Sequence, residues 1–117
     1  MFGDTLLVGG ITYKKINQDG YSSEYRYGDN LVETGLKIRH NSRVDKTRGN
    51  IRVDRHNIEI TGRVFATVAG KPDVIRKAYA VFEIDYNDAP VAALGFLNDV
   101  VEFCTDANVT KLLAWES

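Results

Sequence analysis

The strongest constraint on this chain is a strict two-residue alternation between Arg55 and Tyr86. Ile58, Ile60, Gly62 and Val64 occupy every second position, with Asn57, Glu59, Thr61 and Arg63 between them. After a break from Ala66 to Asp73 the pattern returns, Ala78, Ala80, Phe82, Ile84 and Tyr86 alternating with Lys77, Tyr79, Val81, Glu83 and Asp85. Successive side chains on a strand point to opposite faces, so both limbs predict strands with one apolar and one mostly polar face. The Ala69-Gly70-Lys71-Pro72-Asp73 stretch is a turn former and makes the two limbs an antiparallel hairpin. A sheet of this kind needs a cover for its dry face.

The segments before it add strands. Thr5-Leu6-Leu7-Val8, a Gly9-Gly10 turn and Ile11–Ile16 read as an opening hairpin. Asn17-Gln18-Asp19-Gly20 is a further turn, Ser23–Tyr27 a short polar-aromatic strand, and Gly28-Asp29-Asn30 its end. From Thr34 to Asn41, Leu36, Ile38 and His40 fall on one side, with Lys37, Arg39 and Asn41 on the other. The charged segment Ser42–Asp54, with Gly49-Asn50 in its middle, is either a long loop or an extension of both flanking strands.

After Tyr86 the period changes from two to between three and four. Asn87 or Asp88 is placed to cap a helix, with Pro90 in its first turn. Leu94, Leu97, Val101 and Cys104 form its apolar stripe, and Phe96 and Phe103 lie off that stripe. Thr105–Asn108 interrupts it, and a second short helix is expected from Val109 to Trp115. This is an α+β order, strands first and helices last, in one domain: hairpin 1–20, sheet 21–87, helices 88–117. The helices carry more apolar surface than one small sheet face absorbs, so either a second subunit or the opening hairpin must cover it.

Composition narrows the function. No segment approaches the ~20 apolar residues of a membrane-spanning helix, and the N-terminus lacks a basic stretch followed by a long apolar one. One cysteine, Cys104, allows neither an internal disulfide nor a zinc set and is consistent with a reducing cytoplasm. No phosphate loop, serine-nucleophile motif or Cys/His metal spacing occurs, so no catalytic residue is assigned. His40 and His56 have no evident carboxylate partner and are read as core or interface residues. Glu83 and Asp85 share a face, as a solvated edge or as ligands for a cation at a subunit contact.

The net charge of −1 hides segregation. Residues 35–77 carry 11 Lys and Arg against 4 Asp and Glu, whereas residues 78–117 carry 1 against 7. Either these charges pair inside the fold, or the middle of the chain meets a polyanion. The polar face shows what the second would use. Lys37, Arg39, Arg63 and Lys77 supply cations for phosphates, Asn41, Asn57 and Thr61 supply base-edge partners, and Tyr79 supplies a stacking ring, a plausible surface for single-stranded RNA. Glu59, Glu83 and Asp85 oppose it unless Lys37 and Arg39 neutralise them.

A set of short motifs, in order, resembles the coat proteins of small single-stranded RNA bacteriophages, most closely that of the Caulobacter RNA phage. They are Gly3-Asp4-Thr5-Leu6, Lys15–Tyr21, Ser23-Glu24-Tyr25, Ile38-Arg39-His40, Arg55-His56-Asn57, Arg76-Lys77-Ala78-Tyr79 and Lys111–Ser117. The resemblance implies an N-terminal hairpin, a five-stranded antiparallel sheet and two C-terminal helices, intertwined in a dimer. Dimers build an icosahedral shell lined by the polar face, which packages genomic RNA; some members also repress replicase translation by binding an RNA hairpin. It further implies RNA contact at Lys37, Arg39, Asn41, Asn57, Glu59, Thr61, Arg63, Tyr79, Val81 and Glu83, with Tyr79 stacking on an unpaired base. Leu94, Leu97, Val101, Leu112 and Trp115 are expected at the dimer interface, and Ala69–Asp73 near the symmetry axes of the shell. The expected partners are a second copy, viral RNA and a maturation protein, in a virion assembled in the bacterial cytoplasm. No cofactor is required, and a calcium ion between subunits is implied without an assigned ligand set. Glu59 stands where basic residues are usual and Val81 where a polar one is, which weighs against recognition of one particular hairpin. A dimeric repressor that does not assemble is the alternative. A small enzyme would instead need a polar pocket between sheet and helices.

Overall fold

The alternation becomes one antiparallel sheet in the computed structural model, which describes residues 2–116; Met1 and Ser117, the last residue of the terminal motif, lie outside the described residues. Six strands run in sequential order: β1 (Thr5–Val8), β2 (Ile11–Asp19), β3 (Ser22–Gly28), β4 (Val32–Asp45), β5 (Ile51–Val64) and β6 (Val74–Asp85). Two helices follow, α1 (Pro90–Phe103) and α2 (Asp106–Leu113). The hairpin is therefore not a separate appendage to a five-stranded sheet. β2 pairs with β3, interrupted by a register shift between Lys15 and Asn17, leaving four strands after the hairpin instead of five.

Turn chemistry sets the ends of the strands. Gly9 and Gly10 both take positive φ, 59° and 78°, which a two-residue turn matching strand twist requires. The open question about Ser42–Asp54 resolves as strand. β4 and β5 stay paired from Val32↔Val64 to Asp45↔Ile51, and the chain reverses through a 3-10 turn (Lys46–Arg48) with Gly49 and Asn50 at positive φ.

The helix ends differ from the sequence expectation. A residue before proline is pushed toward extended geometry. Ala89 (φ −69°, ψ 128°) consequently becomes the N-cap of α1, without a side-chain bond, in place of Asn87 or Asp88. α2 starts three residues earlier than Val109 because the Thr105 side chain caps it, accepting a 3.3 Å bond from the Asn108 amide. It stops at Leu113, so Trp115, at positive φ, lies beyond it.

The core occupies half of the dry face. Tyr13, Tyr25, Leu36 and Ile38 are buried, with Leu6, Ile11, Tyr27 and Ile60 packed against them. The Tyr25 hydroxyl donates to the Gly3 carbonyl at 2.8 Å, which pins the entry of the opening hairpin to the sheet. Neither helix packs extensively on any strand, and neither contains a buried residue. The radius of gyration is accordingly 17.6 Å, against about 13 Å for a compact domain of this length.

Candidate nucleic-acid interface

The register of β4, β5 and β6 decides which side chains share the polar face. Lys37, Glu59 and Tyr79 form one cross-strand row; Arg39, Asn57 and Val81 the next; Asn41, Arg55 and Glu83 a third. On the other side lie the rows Gly35–Thr61–Lys77 and Glu33–Arg63–Ile75. All ten residues expected to contact RNA therefore fall on one face. Its far edge is continued by β3, where Glu24 pairs with Lys37 and Arg26 with Gly35.

The acids that β5 and β6 put on this face are paired. Glu59 has a side chain only 12% exposed and is clamped between Lys77 Nζ at 3.0 Å and an Arg39 guanidinium nitrogen at 2.7 Å. The Lys77 ammonium, above all, holds the Glu59 carboxyl below the usual range, with Arg39 and Lys37 adding to it. The neutralising pair is thus Arg39 with Lys77; Lys37 contributes only at longer range. Glu83 lies 3.6 Å from Arg43. Asp85 accepts two bonds from Arg48, at 2.7 and 3.0 Å, and Asp45 accepts a third from the same guanidinium. These ion pairs flank Val53, which is buried between Arg43 and Asp85 in register. The Glu83–Asp85 end is therefore a solvent-exposed edge whose acids each face an arginine, and among the described residues no cluster of three acidic or metal-ligating side chains forms there. Calcium takes six to eight oxygens. With these acids committed to arginines, a cage would have to draw its remaining ligands from a second subunit.

At the β3 edge Glu24 enters no ion pair among the described residues; on β4 to β6 what stays unpaired is cationic. Among the described residues, Lys37 and Arg55 enter no ion pair and no side-chain hydrogen bond. Arg39, Asn41, Arg55 and Asn57 surround a shallow cavity of about 210 Å³, and Asn57 Oδ1 is buried there without a hydrogen-bond partner. A buried acceptor of this kind is costly unless a donor reaches it. Tyr79 stands 67% exposed in the row beside Glu59. The result is a flat surface with neutralised acids, free cations, an open acceptor and a displayed ring, the parts that hold phosphates and unstacked bases.

Arg55 is the residue that the sequence reading missed. It has the same parity as Asn57 and lies within the alternating stretch, but the list of polar-face residues began at Asn57. The residues expected at a dimer contact are divided between elements. Leu94, Leu97 and Val101 lie on α1, Leu112 on α2, and Trp115 beyond it; Leu97 is half-buried and the others are exposed.

Comparison with known proteins agrees with this architecture. No curated protein matches the chain. Among solved structures, the virus-like particle of Wenzhou levi-like virus 1 superposes with a TM-score of 0.62, covering 97% of each chain at 15% identity, which is a likeness of fold. The family described as the coat protein of phage phiCb5 matches residues 5–85, from the first strand to the end of the last. With more than half of its length matched, the chain belongs to the phage phiCb5 coat-protein family.

Proposed function

We propose that this coat protein dimerises, closes into an icosahedral shell and packages single-stranded RNA against the β4–β6 face. The reading is of a structural protein rather than a catalyst. Its carrying observation is the electrostatic state of that face: Glu59 is cancelled by Arg39 and Lys77, while Lys37, Arg55 and Tyr79 stay available. RNA affinity is then mainly electrostatic and falls steeply with salt. Val81 and the clamped Glu59 favour general packaging over the reading of a single replicase hairpin. Assembly in the bacterial cytoplasm and capture of a maturation protein rest on family resemblance alone.

Dimerisation is supported by surface that one chain leaves uncovered. The chain exposes 9232 Å², where a compact monomer of this mass exposes about 6,400 Å². The excess includes Leu94, Phe96, Val101 and Phe103 on α1, and β6 has a free outer edge of twelve residues. Long unpaired edges and apolar faces of this size mark association surfaces. Pairing of two β6 edges, with each pair of helices laid across the other subunit's sheet, covers both.

Expression of the chain alone tests the reading. The expected product is nuclease-resistant particles of megadalton mass containing host RNA. A discrete dimer at physiological salt would instead favour a repressor that does not assemble. Shell contacts are each weak and act through repetition, so particles are expected to dissociate into dimers before the dimers unfold.

A further inference from the structure

The chain contains two histidines, and the fold brings them together. His40 and His56 are a register pair on β4 and β5, on the face opposite Tyr79. Their Nδ1 atoms are 2.8 Å apart and their rings meet edge to face at 69°. That separation is a hydrogen bond, which takes a proton on the Nδ1 of one ring and a lone pair on the other. The pair opens onto a cavity of about 410 Å³, also lined by Tyr21, Ser42, Arg52 and Asp54. Asp54 accepts two bonds from Arg52, at 2.9 and 3.2 Å. Arg52 holds its carboxyl below the usual range, so it remains an anion beside the pair.

We propose that His40 and His56 form a chelating site for a late first-row divalent transition ion. Imidazole nitrogen is a preferred donor for such ions and a poor one for calcium or magnesium. Binding requires the bridging proton to move from Nδ1 to Nε2 of the same ring, so that both Nδ1 lone pairs face the metal and no net proton is released. With metal–nitrogen bonds of about 2.0 Å, two nitrogens at a right angle lie about 2.8 Å apart, so the hydrogen-bonded pair can admit a square-planar or tetragonal Cu²⁺ or Ni²⁺ by turning its rings without moving them apart. Among the described residues no third His, Cys, Asp or Glu converges on the pair. The site is therefore a two-nitrogen chelate whose remaining positions fall to water or, because the pair lies on the face that the proposed dimer covers, to groups of a second copy. It does not depend on the reading of the opposite face.

Titration calorimetry of the purified full chain with NiCl₂ tests this, with CaCl₂ as the contrast. One Ni²⁺ per chain and no calcium heat at this site are expected. His40→Asn and His56→Asn, each checked for a native circular dichroism spectrum, should weaken Ni²⁺ by at least about tenfold, the scale on which even an outer partner of a metal ligand matters. Electron paramagnetic resonance of the unmutated protein with one equivalent of Cu²⁺ is independent of any variant and should show two coordinated imidazole nitrogens. Absence of Ni²⁺ binding, equal affinity in either variant, or a copper spectrum with fewer than two such nitrogens would overturn the proposal.

Discussion

On the face opposite Tyr79, the half beneath the opening hairpin is closed, while the half beside β6 is open. Tyr25 and Leu36 are fully buried, whereas Ile58, the register partner of Ile38, is 36% exposed, and Leu94, Phe96 and Val101 of α1 are more exposed still. Both halves are comparably apolar in sequence. The difference is in what reaches them: β1 pairs with β2 and β2 with β3, and they cover their own neighbours, but α1 leaves from the edge strand and, among the described residues, packs extensively on no strand. The closed half is folded by local connection. The open half is the surface that the proposed dimer would cover.

Substitutions that separate stability from association put this contrast to work. The largest loss belongs to the closed half. Leu36→Ala should destabilise the fold by about 2–5 kcal/mol, read by denaturant unfolding, because no side chain can collapse into the vacated core of the sheet. Next is the open half. Leu94→Asp with Val101→Asp should abolish particles and dimers in sedimentation, while the far-ultraviolet spectrum of the strands persists; intact particles would remove the contrast altogether.

The polar face should respond more mildly. Lys37→Ala with Arg55→Ala is expected to lower packaged RNA, measured as the ratio of absorbance at nucleic-acid and protein wavelengths. The same change should reduce the salt slope of RNA binding by about two, with dimerisation unchanged. Unaltered RNA content would break the assignment of free cations to phosphate.

The smallest effect is in acid. Hydrogen bonds from the Thr47 and Arg48 side chains pull the Asp45 carboxyl from 3.8 down to about 2, and Arg48 also lowers Asp85. A depressed carboxyl stabilises the fold above its unfolded pKa, and that contribution disappears as pH falls through the folded value. The β4–β5 end should therefore loosen between about pH 4 and pH 2, and Arg48→Ala should flatten that acid limb in a pH series of thermal melts.

Much of this was legible in the residues because a period of two is a one-dimensional signal. Asn57, Glu59 and Thr61 share a face whatever their neighbours do, and the register then aligned Tyr79 and Lys37 with them. Helix ends were less legible: the proline at position 90 and the Thr105 side chain decide them through local sterics and one hydrogen bond, and the apolar pattern does not record either. The partners of Glu59 were half legible. Two strands must pair in one particular register before Lys77, and not Lys37, is the cation within reach.

The sequence alone determined the strands, their two faces, the order of elements and the segregation of positive charge, since each follows from neighbours along the chain. The register of pairing between strands was decided only by the tertiary structure. That pairing joined His40 to His56, gave Glu59 its two cations, extended the sheet through Ser42–Asp54 and left α1 without a surface of its own. Register is a property of two strands at once, and no single stretch of residues contains it.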